Sequence, residues 1–471
     1  MMATMTDNNR PNRADKDALG QYRKLLADYG ADIARHTVPA IEDVRKAAAD
    51  LLLGDRSVSL HTGGNAENHY ANPAEMFAPD FGVNIMRLPV TADIDSLFRC
   101  GIPALSSLVG VTVNDTFRPT DRLLRLMPEG VTVTAFSRAD DRSADIIRRY
   151  YGTIAKADNG AVALNTAFAQ DGILIHVARD TRVDKPIQLI NILKALTAPD
   201  GRDMPVLAVR RLLVVMERGA EADVIVCDHD VNGQAASASS RVTEIYLGEN
   251  ARLALCELEE SSLSTARHAM TFVSQQKDSH LSIFSGSLKP GVTRNDFVVA
   301  LNGPGASVEL NGMAILDDDR VTDNCTTVLH NAQHSHSDQT FKYLVNDSAR
   351  GAFHGLIRVA EGAEGTEAYQ TNRNILASTE ARMHSQPQLE IYCDDVKCSH
   401  GSATGQLDEQ ALFYMRSRGI DLPEARSMLM NAFMADVIEK VKPAQLGDRL
   451  RHIVERRLSG HDDLCQTCNI C

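Results

Sequence analysis

The chain has 471 residues, of which 44% are hydrophobic and 24% are charged, and its formal net charge is −13. This composition is that of an ordinary globular protein and excludes a fibre, while the acidic balance argues against a phosphate-binding face for nucleic acid. No stretch approaches the ~20 apolar residues that a membrane helix needs, and the polar start of the chain predicts no signal peptide. We therefore expect a cytoplasmic protein with neither nucleic-acid nor membrane partners, whose nine cysteines are mostly thiols or metal ligands.

Helices are predicted at the start of the chain, after a polar segment (1–12) that is expected to be disordered. Between Asp15 and Leu53 the apolar residues recur at helical spacing, and Gly54 ends the pattern. We assign residues 13–103 to an N-terminal helical region. Because only 5% of the chain is aromatic, the core is expected to be aliphatic.

From residue 104 to residue 404 the pattern changes to short apolar alternations punctuated by glycine, which is typical of strands with one buried face. Examples are GVTVTAF (130–136), GILIHVAR (172–179), ADVIVCD (222–228) and FVVALNG (297–303). In the turns between them, a glycine followed by a small or acidic residue recurs at irregular intervals. Repeated strand–turn units favour a stacked β-helix, and the irregular spacing leaves a β-sandwich as the alternative.

Helical periodicity returns at the end of the chain. Asp408 and Asp421 are predicted N-caps of two helices, and a third helix follows Pro443. Residues 405–460 are thus a predicted C-terminal helical domain, followed by a cysteine-rich tail at 461–471.

The tail carries three cysteines at metal-ligand spacing: Cys465, Cys468 and Cys471. Thiolates two residues apart can share one metal ion or an iron–sulfur cluster. No closed set of four ligands can be identified, so exposed thiols on a flexible tail are the alternative.

A thiol and an imidazole also stand two residues apart at Cys398 and His400. On extended backbone both can reach one site, and both are metal ligands. A Cys–His nucleophilic dyad and a buried thiol beside a turn histidine are the alternatives. His334 and His336 could likewise share an ion on one strand or hydrogen-bond in a polar turn. The chain has no GxxxxGK[ST] motif, so it is not expected to bind nucleotide through a P-loop.

Four sequence segments of the C-terminal half are long and compositionally unusual. They are LNGPGASVELNG (301–312), TTVLHNAQHSHSDQTFKYLVNDSARGAFHGLIRV (326–359), QTNRNILAS (370–378) and QPQLEIYCDDVKCSHGSATGQLDEQALFYMRSRGI (386–420). Together they resemble the SufB/SufD family, the scaffold proteins of SUF iron–sulfur cluster assembly. CSHG followed by FYMRSRGI is more similar to the SufD branch. QTNRNILAS lacks the cysteine that SufB-type members are expected to carry there.

The resemblance implies an α+β fold, with a right-handed parallel β-helix between N-terminal and C-terminal helical regions. It implies a non-enzymatic scaffold that acts with a SufB-like paralogue and a SufC-like ABC ATPase, which docks on the C-terminal helices and supplies the nucleotide chemistry. A homodimer of the isolated chain is also compatible with it.

His400 is then the candidate ligand of a transient iron–sulfur cluster shared with SufB, and His330 is expected to be structural. Cys398 is expected to be mainly structural, although it and the tail cysteines remain possible ligands. Two other functions stay open: a β-helix carbohydrate-active enzyme, and a metal carrier that uses the tail cysteines. The adjacent Asp394 and Asp395 would face opposite sides of a strand, which makes them a poor acid/base pair.

Overall fold

The structure is a computed structural model that describes residues 19–54, 58, 60, 70–90, 107–197, 203–231 and 236–459. The predicted disordered segment (1–12) and the cysteine-rich tail (461–471) lie outside the described residues.

The helices of the described residues lie mainly before and after a long run of strands. They are α1 (Gly20–Arg35), α2 (Glu42–Leu53), α3 (Pro73–Met76), α4 (Asp121–Leu126), α5 (Asp141–Tyr150), α6 (Gly160–Phe168), α7 (Glu409–Ser417), α8 (Leu422–Ile438) and α9 (Ala444–Leu458). The side chains of Asp408 and Asp421 accept hydrogen bonds from backbone N–H groups of the first turns of α7 and α8, as the sequence predicts. Within the described residues, no helix combines the length and apolar character that crossing a membrane requires.

The strands have these bounds: β1 (Gly82–Val83), β2 (Leu108–Val113), β3 (Thr116–Pro119), β4 (Val131–Ala135), β5 (Ile173–Val177), β6 (Ile187–Leu193), β7 (Leu196–Thr197), β8 (Asp203–Met204), β9 (Val206–Met216), β10 (Glu221–Asp230), β11 (Ser237–Leu247), β12 (Arg252–Glu260), β13 (Thr265–Gln275), β14 (His280–Lys289), β15 (Val292–Leu301), β16 (Ser307–Leu316), β17 (Val321–His330), β18 (His336–Val345), β19 (Arg350–Val359), β20 (Thr366–Leu376), β21 (Arg382–Ile391) and β22 (Val396–Gly405).

From β9 onwards the chain visits two sheets alternately. The odd-numbered strands β9 to β21 pair in parallel in one sheet, sheet A, and the even-numbered strands β10 to β22 pair in parallel in the other, sheet B. Each strand from β9 to β20 therefore pairs with the strand one coil earlier and the strand one coil later. The result is a right-handed parallel β-solenoid of about seven turns, which confirms the predicted fold class.

Helices cover the outer faces of both sheets. The N-terminal helices α1, α2 and α6 pack on sheet A around Leu207, Val209 and Val242. The C-terminal helices α8 and α9 pack on sheet B, where Met434 and Leu450 share an apolar cluster with sheet residues such as Phe284. The segment from β2 to β6 extends both sheets at their first end, so that end of the solenoid is covered.

The glycine-containing pattern that recurs in the sequence corresponds to a ladder of stacked turns in the structure. In each turn one residue has a positive φ, and the next residue is small and buried. The pairs are Gly219–Ala220, Asn250–Ala251, Asp278–Ser279, Gly305–Ala306 and His334–Ser335. Glycine, asparagine and aspartate tolerate this left-handed conformation best, which explains their recurrence. His334 therefore lies in a turn, whereas His336 begins β18, so the two histidines do not share one strand.

The interior of the solenoid is apolar along one side. In-register rows of aliphatic residues run through sheet A, such as Val214, Ile245, Val273, Val299 and Val328. This side of the interior matches the expected aliphatic core.

The other side of the interior is polar and charged, which the sequence analysis did not predict. The carboxylate of buried Asp228 lies 2.7 Å from Arg267, 3.3 Å from Arg241 and 3.4 Å from Arg210. Burial alone would raise the pKa of the Asp228 carboxyl, but the three guanidinium groups outweigh burial and hold this pKa far below its usual range. The arginines are thereby paired inside a water-poor core.

Hydrogen bonds continue this polar side from coil to coil. Arg267 donates to Asn295 at 2.6 Å, Asn295 donates to Asn324 at 2.9 Å, and Asn324 donates to the Tyr343 hydroxyl at 2.6 Å. The two asparagines are 29 residues apart in the chain, which is the length of one coil at this point. The buried polar groups are thus matched to the stacking repeat.

We expect Asp228→Asn to lower the free energy of unfolding by about 3–5 kcal/mol, because it leaves three buried guanidinium groups without their central carboxylate. Denaturant unfolding at pH 7 measures this loss. Since the pKa of Asp228 is depressed in the folded chain, its contribution is present above the unfolded value of about 3.9 and is lost as the pH falls below it.

Asp223→Asn is the matched control. Asp223 lies on the same strand but faces outward, and burial together with nearby Glu221 raises the pKa of its carboxyl, so neutralising it should cost little. Equal losses of stability for the two variants would contradict the central role of Asp228.

Candidate functional site

The last turn of the solenoid is open. In the described part of the chain, β21 and β22 pair on one side only, with β19 and β20. Most residues of β22 are exposed, whereas β17 and β18 are largely buried. A strand edge with unpaired N–H and C=O groups is a template for another strand, and solenoid ends normally need a cap. Among the described residues, this end therefore exposes backbone groups that an added strand could pair with.

Cys398 and His400 both lie on β22 at this open end. Cys398 pairs with Ala368 and His400 with Gln370, and both partners are buried inside the solenoid. Because side chains alternate along a strand, the thiol and the imidazole face the same side, towards the solenoid interior. His400 is exposed, and Cys398 is half-buried.

Cys398 lies at the edge of an apolar cluster. Together with Cys393 and Val396 it packs against buried residues that include Ile357 and Ala368. Burial raises the pKa of the Cys398 thiol, which disfavours the thiolate that binds metal. Of the two predicted residues, His400 is thus the more accessible one.

A column of buried amides lies beneath His400, and the sequence analysis missed it. Gln370 is the register partner of His400, Gln339 is the register partner of Gln370, and the two amides are 3.4 Å apart. Gly355 makes room for this column, since a Cβ atom there would lie 2.1 Å from Nε2 of Gln370. The alternation of Gln370, Asn372 and Asn374 with outward residues is the sequence signal that could have revealed it.

His330 lies away from this open end, in the core. Its Nδ1 atom is 2.7 Å from the Ser335 hydroxyl, and its Nε2 atom is 2.9 Å from the Ser337 hydroxyl. Burial lowers the pKa of His330 to about 4, so the ring is neutral at pH 7. Both ring nitrogens thus have hydroxyl partners in this arrangement, which agrees with the expectation of a structural residue.

Among the described residues, no group of three or more His, Cys, Asp or Glu side chains is arranged to hold a metal ion. Cys465, Cys468 and Cys471 lie outside the described residues, so their role stays a prediction.

Two models of known protein families match this chain over most of its length. Residues 198–433 match the family model described as the SufBD core domain of SUF system FeS cluster assembly, and residues 16–189 match that of the SufBD N-terminal region. The two matches span both the solenoid and the segment before it. The chain belongs to the SufBD family.

Individual proteins are also similar to this chain over most of its length. A SufBD family iron–sulfur cluster assembly protein of Synechocystis is 28% identical over 88% of this chain and 90% of its own length. The iron–sulfur cluster assembly protein SufD of Escherichia coli is 33% identical over 63% of this chain and 69% of its own. A chloroplastic protein of Arabidopsis thaliana, ABCI7, is 29% identical over 74% of this chain and 72% of its own.

We expect His330→Gln to weaken the pH dependence of stability between pH 7 and pH 5. Because the pKa of His330 is lower in the folded than in the unfolded chain, its contribution is complete above about pH 6.5 and is lost as the pH falls towards 4. In the unmodified chain this amounts to about 2 kcal/mol at pH 5, from ~1.4 kcal/mol per pH unit. Denaturant unfolding at several pH values measures the slope, and His336→Gln is the control. Identical slopes with and without His330 would rule out its buried, neutral state.

Proposed function

We propose that this chain is a non-catalytic scaffold subunit of SUF iron–sulfur cluster assembly in the cytoplasm, and that His400 is its ligand for the nascent cluster. The observation that carries the proposal is the position of His400, an exposed imidazole on β22, which among the described residues is the last strand of its sheet, in a SufBD family chain. The cluster is the cargo of the complex, which passes it on to apo-proteins.

The chemistry of a single imidazole suits a transient site. A neutral imidazole nitrogen binds iron, but less strongly than a thiolate, so a cluster held partly by His400 can be released to a client. The remaining ligands would come from a partner, and a SufB-like paralogue would supply a cysteine.

The free strand edges support pairing with such a partner. A second solenoid of the same family that adds strands to β21 and β22 would satisfy their unpaired backbone groups and place its own residues beside His400. In the absence of the paralogue, a second copy of this chain could use the same edges.

The C-terminal helices offer a separate surface for a SufC-like ABC ATPase, which would bring the nucleotide that this chain does not bind itself. Helices α8 and α9 are anchored on sheet B, whereas α7 buries none of its residues. The side chains of Phe413 and Tyr414 on α7 are 76% and 58% exposed. Two adjacent exposed aromatic residues on one short helix are typical of a protein-docking surface.

For the cluster site, we expect His400→Ala to reduce the iron and acid-labile sulfide bound to the co-expressed complex to less than about one third, since a ligand is lost. The same preparation should keep all subunits, measured by size-exclusion chromatography. His384→Ala is the control, because His384 lies on the outer face of β21, where its ring packs against the ring of His354 on β19. Undiminished iron and sulfide in His400→Ala would refute the assignment.

For the docking surface, we expect the double substitution Phe413→Ser and Tyr414→Ser to weaken binding of the ATPase by at least ~10-fold, because exposed aromatic anchors dominate such interfaces. Binding of the purified ATPase can be measured by calorimetry. Leu263→Ser, which changes a half-exposed apolar side chain in the turn between β12 and β13, is the control. Unchanged affinity of the double variant for the ATPase would show that α7 is not the docking surface.

A further inference from the structure

The side chain of Gln370 has a buried oxygen atom one coil below His400. Gln370 is the register partner of His400 and is only 2% exposed. Its Oε1 atom is buried and accepts no hydrogen bond from the described residues. Because a buried acceptor without a partner is costly, this atom favours an N–H group that can reach it.

The neighbours of Gln370 determine the direction of its amide group. Nε2 donates to Oε1 of Gln339 in the coil below, at 3.4 Å. The two polar atoms of a carboxamide diverge from its carbon atom, so Oε1 is directed away from Gln339. Across the interior, a Cβ atom at Gly355 would overlap the amide group, so the amide has little room to turn. The acceptor is thus held in place.

The coil above Gln370 is the last one of the described chain, and it offers one suitable donor. In that coil Pro387 is the register partner of Gly355 and lacks a backbone N–H group, and its ring has no donor. The hydroxyl of Ser402, two residues beyond His400, is already 2.8 Å from the hydroxyl of Ser385. Paired residues of neighbouring strands are about 4.8 Å apart and face the same side. The imidazole of His400 is therefore the donor that matches Oε1.

His400 can turn towards this acceptor because it is exposed and exposed side chains change rotamer rapidly. A neutral imidazole has one N–H group, which donates, and one nitrogen with a lone pair, which binds metal. Histidine ligands almost always donate their N–H group to a carbonyl or carboxylate group, which fixes the tautomer and the orientation of the ring.

We propose that Gln370 is a positioning residue of the cluster site: its Oε1 atom accepts a hydrogen bond from one ring nitrogen of His400. The other nitrogen then keeps its lone pair and faces the partner, where it binds iron. The role at the cluster rests on the proposed function, whereas the hydrogen bond itself can be measured on the chain without cargo.

An amide suits this role better than a carboxylate. A carboxylate partner raises the basicity of a ligand histidine and so strengthens its bond to the metal. It would also place a charge inside the solenoid that needs a counter-charge. The uncharged amide orients the ring and leaves iron binding weak enough for transfer.

The tautomer of His400 tests the hydrogen bond. In the full chain labelled with ¹⁵N-histidine, long-range ¹H–¹⁵N spectra at pH 8 distinguish protonated from unprotonated ring nitrogens, and His400→Gln identifies the signals. We expect one dominant tautomer in the unmodified chain. Gln370→Met keeps the length of the side chain without the amide acceptor and should shift the tautomer ratio at least ~5-fold. Gln370→Glu retains an acceptor and should restore the dominant tautomer.

Asn372→Leu is the matched control. Asn372 is a buried amide on the same strand, but it lies beneath Ser402 and donates to the carbonyl of Phe341 at 3.3 Å. Its loss should cost stability without changing the tautomer of His400. Denaturant unfolding shows which variants are folded, and Gln370→Ala takes the place of Gln370→Met if the latter does not fold.

Release of iron to a chelator tests the role at the cluster. In the co-expressed complex, Gln370→Met should keep all subunits and release iron at least ~10-fold faster than the unmodified complex, since loss of a residue that orients a ligand histidine typically costs 10–100-fold in metal affinity. Asn372→Leu should release iron at the unmodified rate.

The outcomes separate this inference from the proposed function. An unchanged tautomer ratio in Gln370→Met, or a mixture already in the unmodified chain, would overturn the positioning role even if His400→Ala loses its iron. A changed ratio together with undiminished iron in His400→Ala would confirm the hydrogen bond and refute His400 as the cluster ligand. A changed ratio with unaltered iron release would refute the role of Gln370 at the cluster.

Discussion

Backbone hydrogen bonding between successive coils is the constraint on which the structure depends. Each strand from β9 to β20 is held by the strand one coil before it and the strand one coil after it, so every coil must have nearly the same length and shape. The ladder of left-handed turn residues is a consequence of this requirement. A turn that differs from its neighbours would break the register on which the next pair of strands depends.

The same constraint explains how charge can be tolerated in the core. Stacking brings side chains from neighbouring coils into fixed rows, so a carboxylate on a strand of sheet B meets guanidinium groups from three successive strands of sheet A. Asp228 and its three arginines form such a group, and the amides of Asn295 and Asn324 continue it. A polar interior of this kind is stable only when every coil supplies its member of the row.

Much of the fold could be predicted from the sequence because its signals are local. The alternation in ADVIVCD and FVVALNG predicts β10 and β15, and the caps at Asp408 and Asp421 predict the starts of α7 and α8. The charged interior could not be predicted in this way. In LAVRRLLVVME the adjacent Arg210 and Arg211 occupy opposite faces of one buried strand. Only their ion pairs with Asp228 on β10 and Glu244 on β11 show that both charges are neutralised inside the protein.

The candidate site was predictable only in part for the same reason. The spacing of Cys398 and His400 indicates that both face one side of a strand, and in the structure both lie on the same side of β22. Neither spacing nor composition indicates that this strand is the last of its sheet, or that Gln370 and Gln339 lie beneath the imidazole. Those facts follow from the coil count and the register, which no single segment encodes.

The open last turn also determines how the candidate site moves. A strand with one neighbour has half the interstrand hydrogen bonds of an internal strand, so β22 is among the coils that open most easily by local fluctuation. His400 therefore lies on a strand with fewer interstrand hydrogen bonds than the internal strands of the described solenoid. A partner that adds a strand to this edge would protect the amides of β22 from exchange with solvent. Under the proposed function, loading and release of the cluster would follow the making and breaking of that added strand.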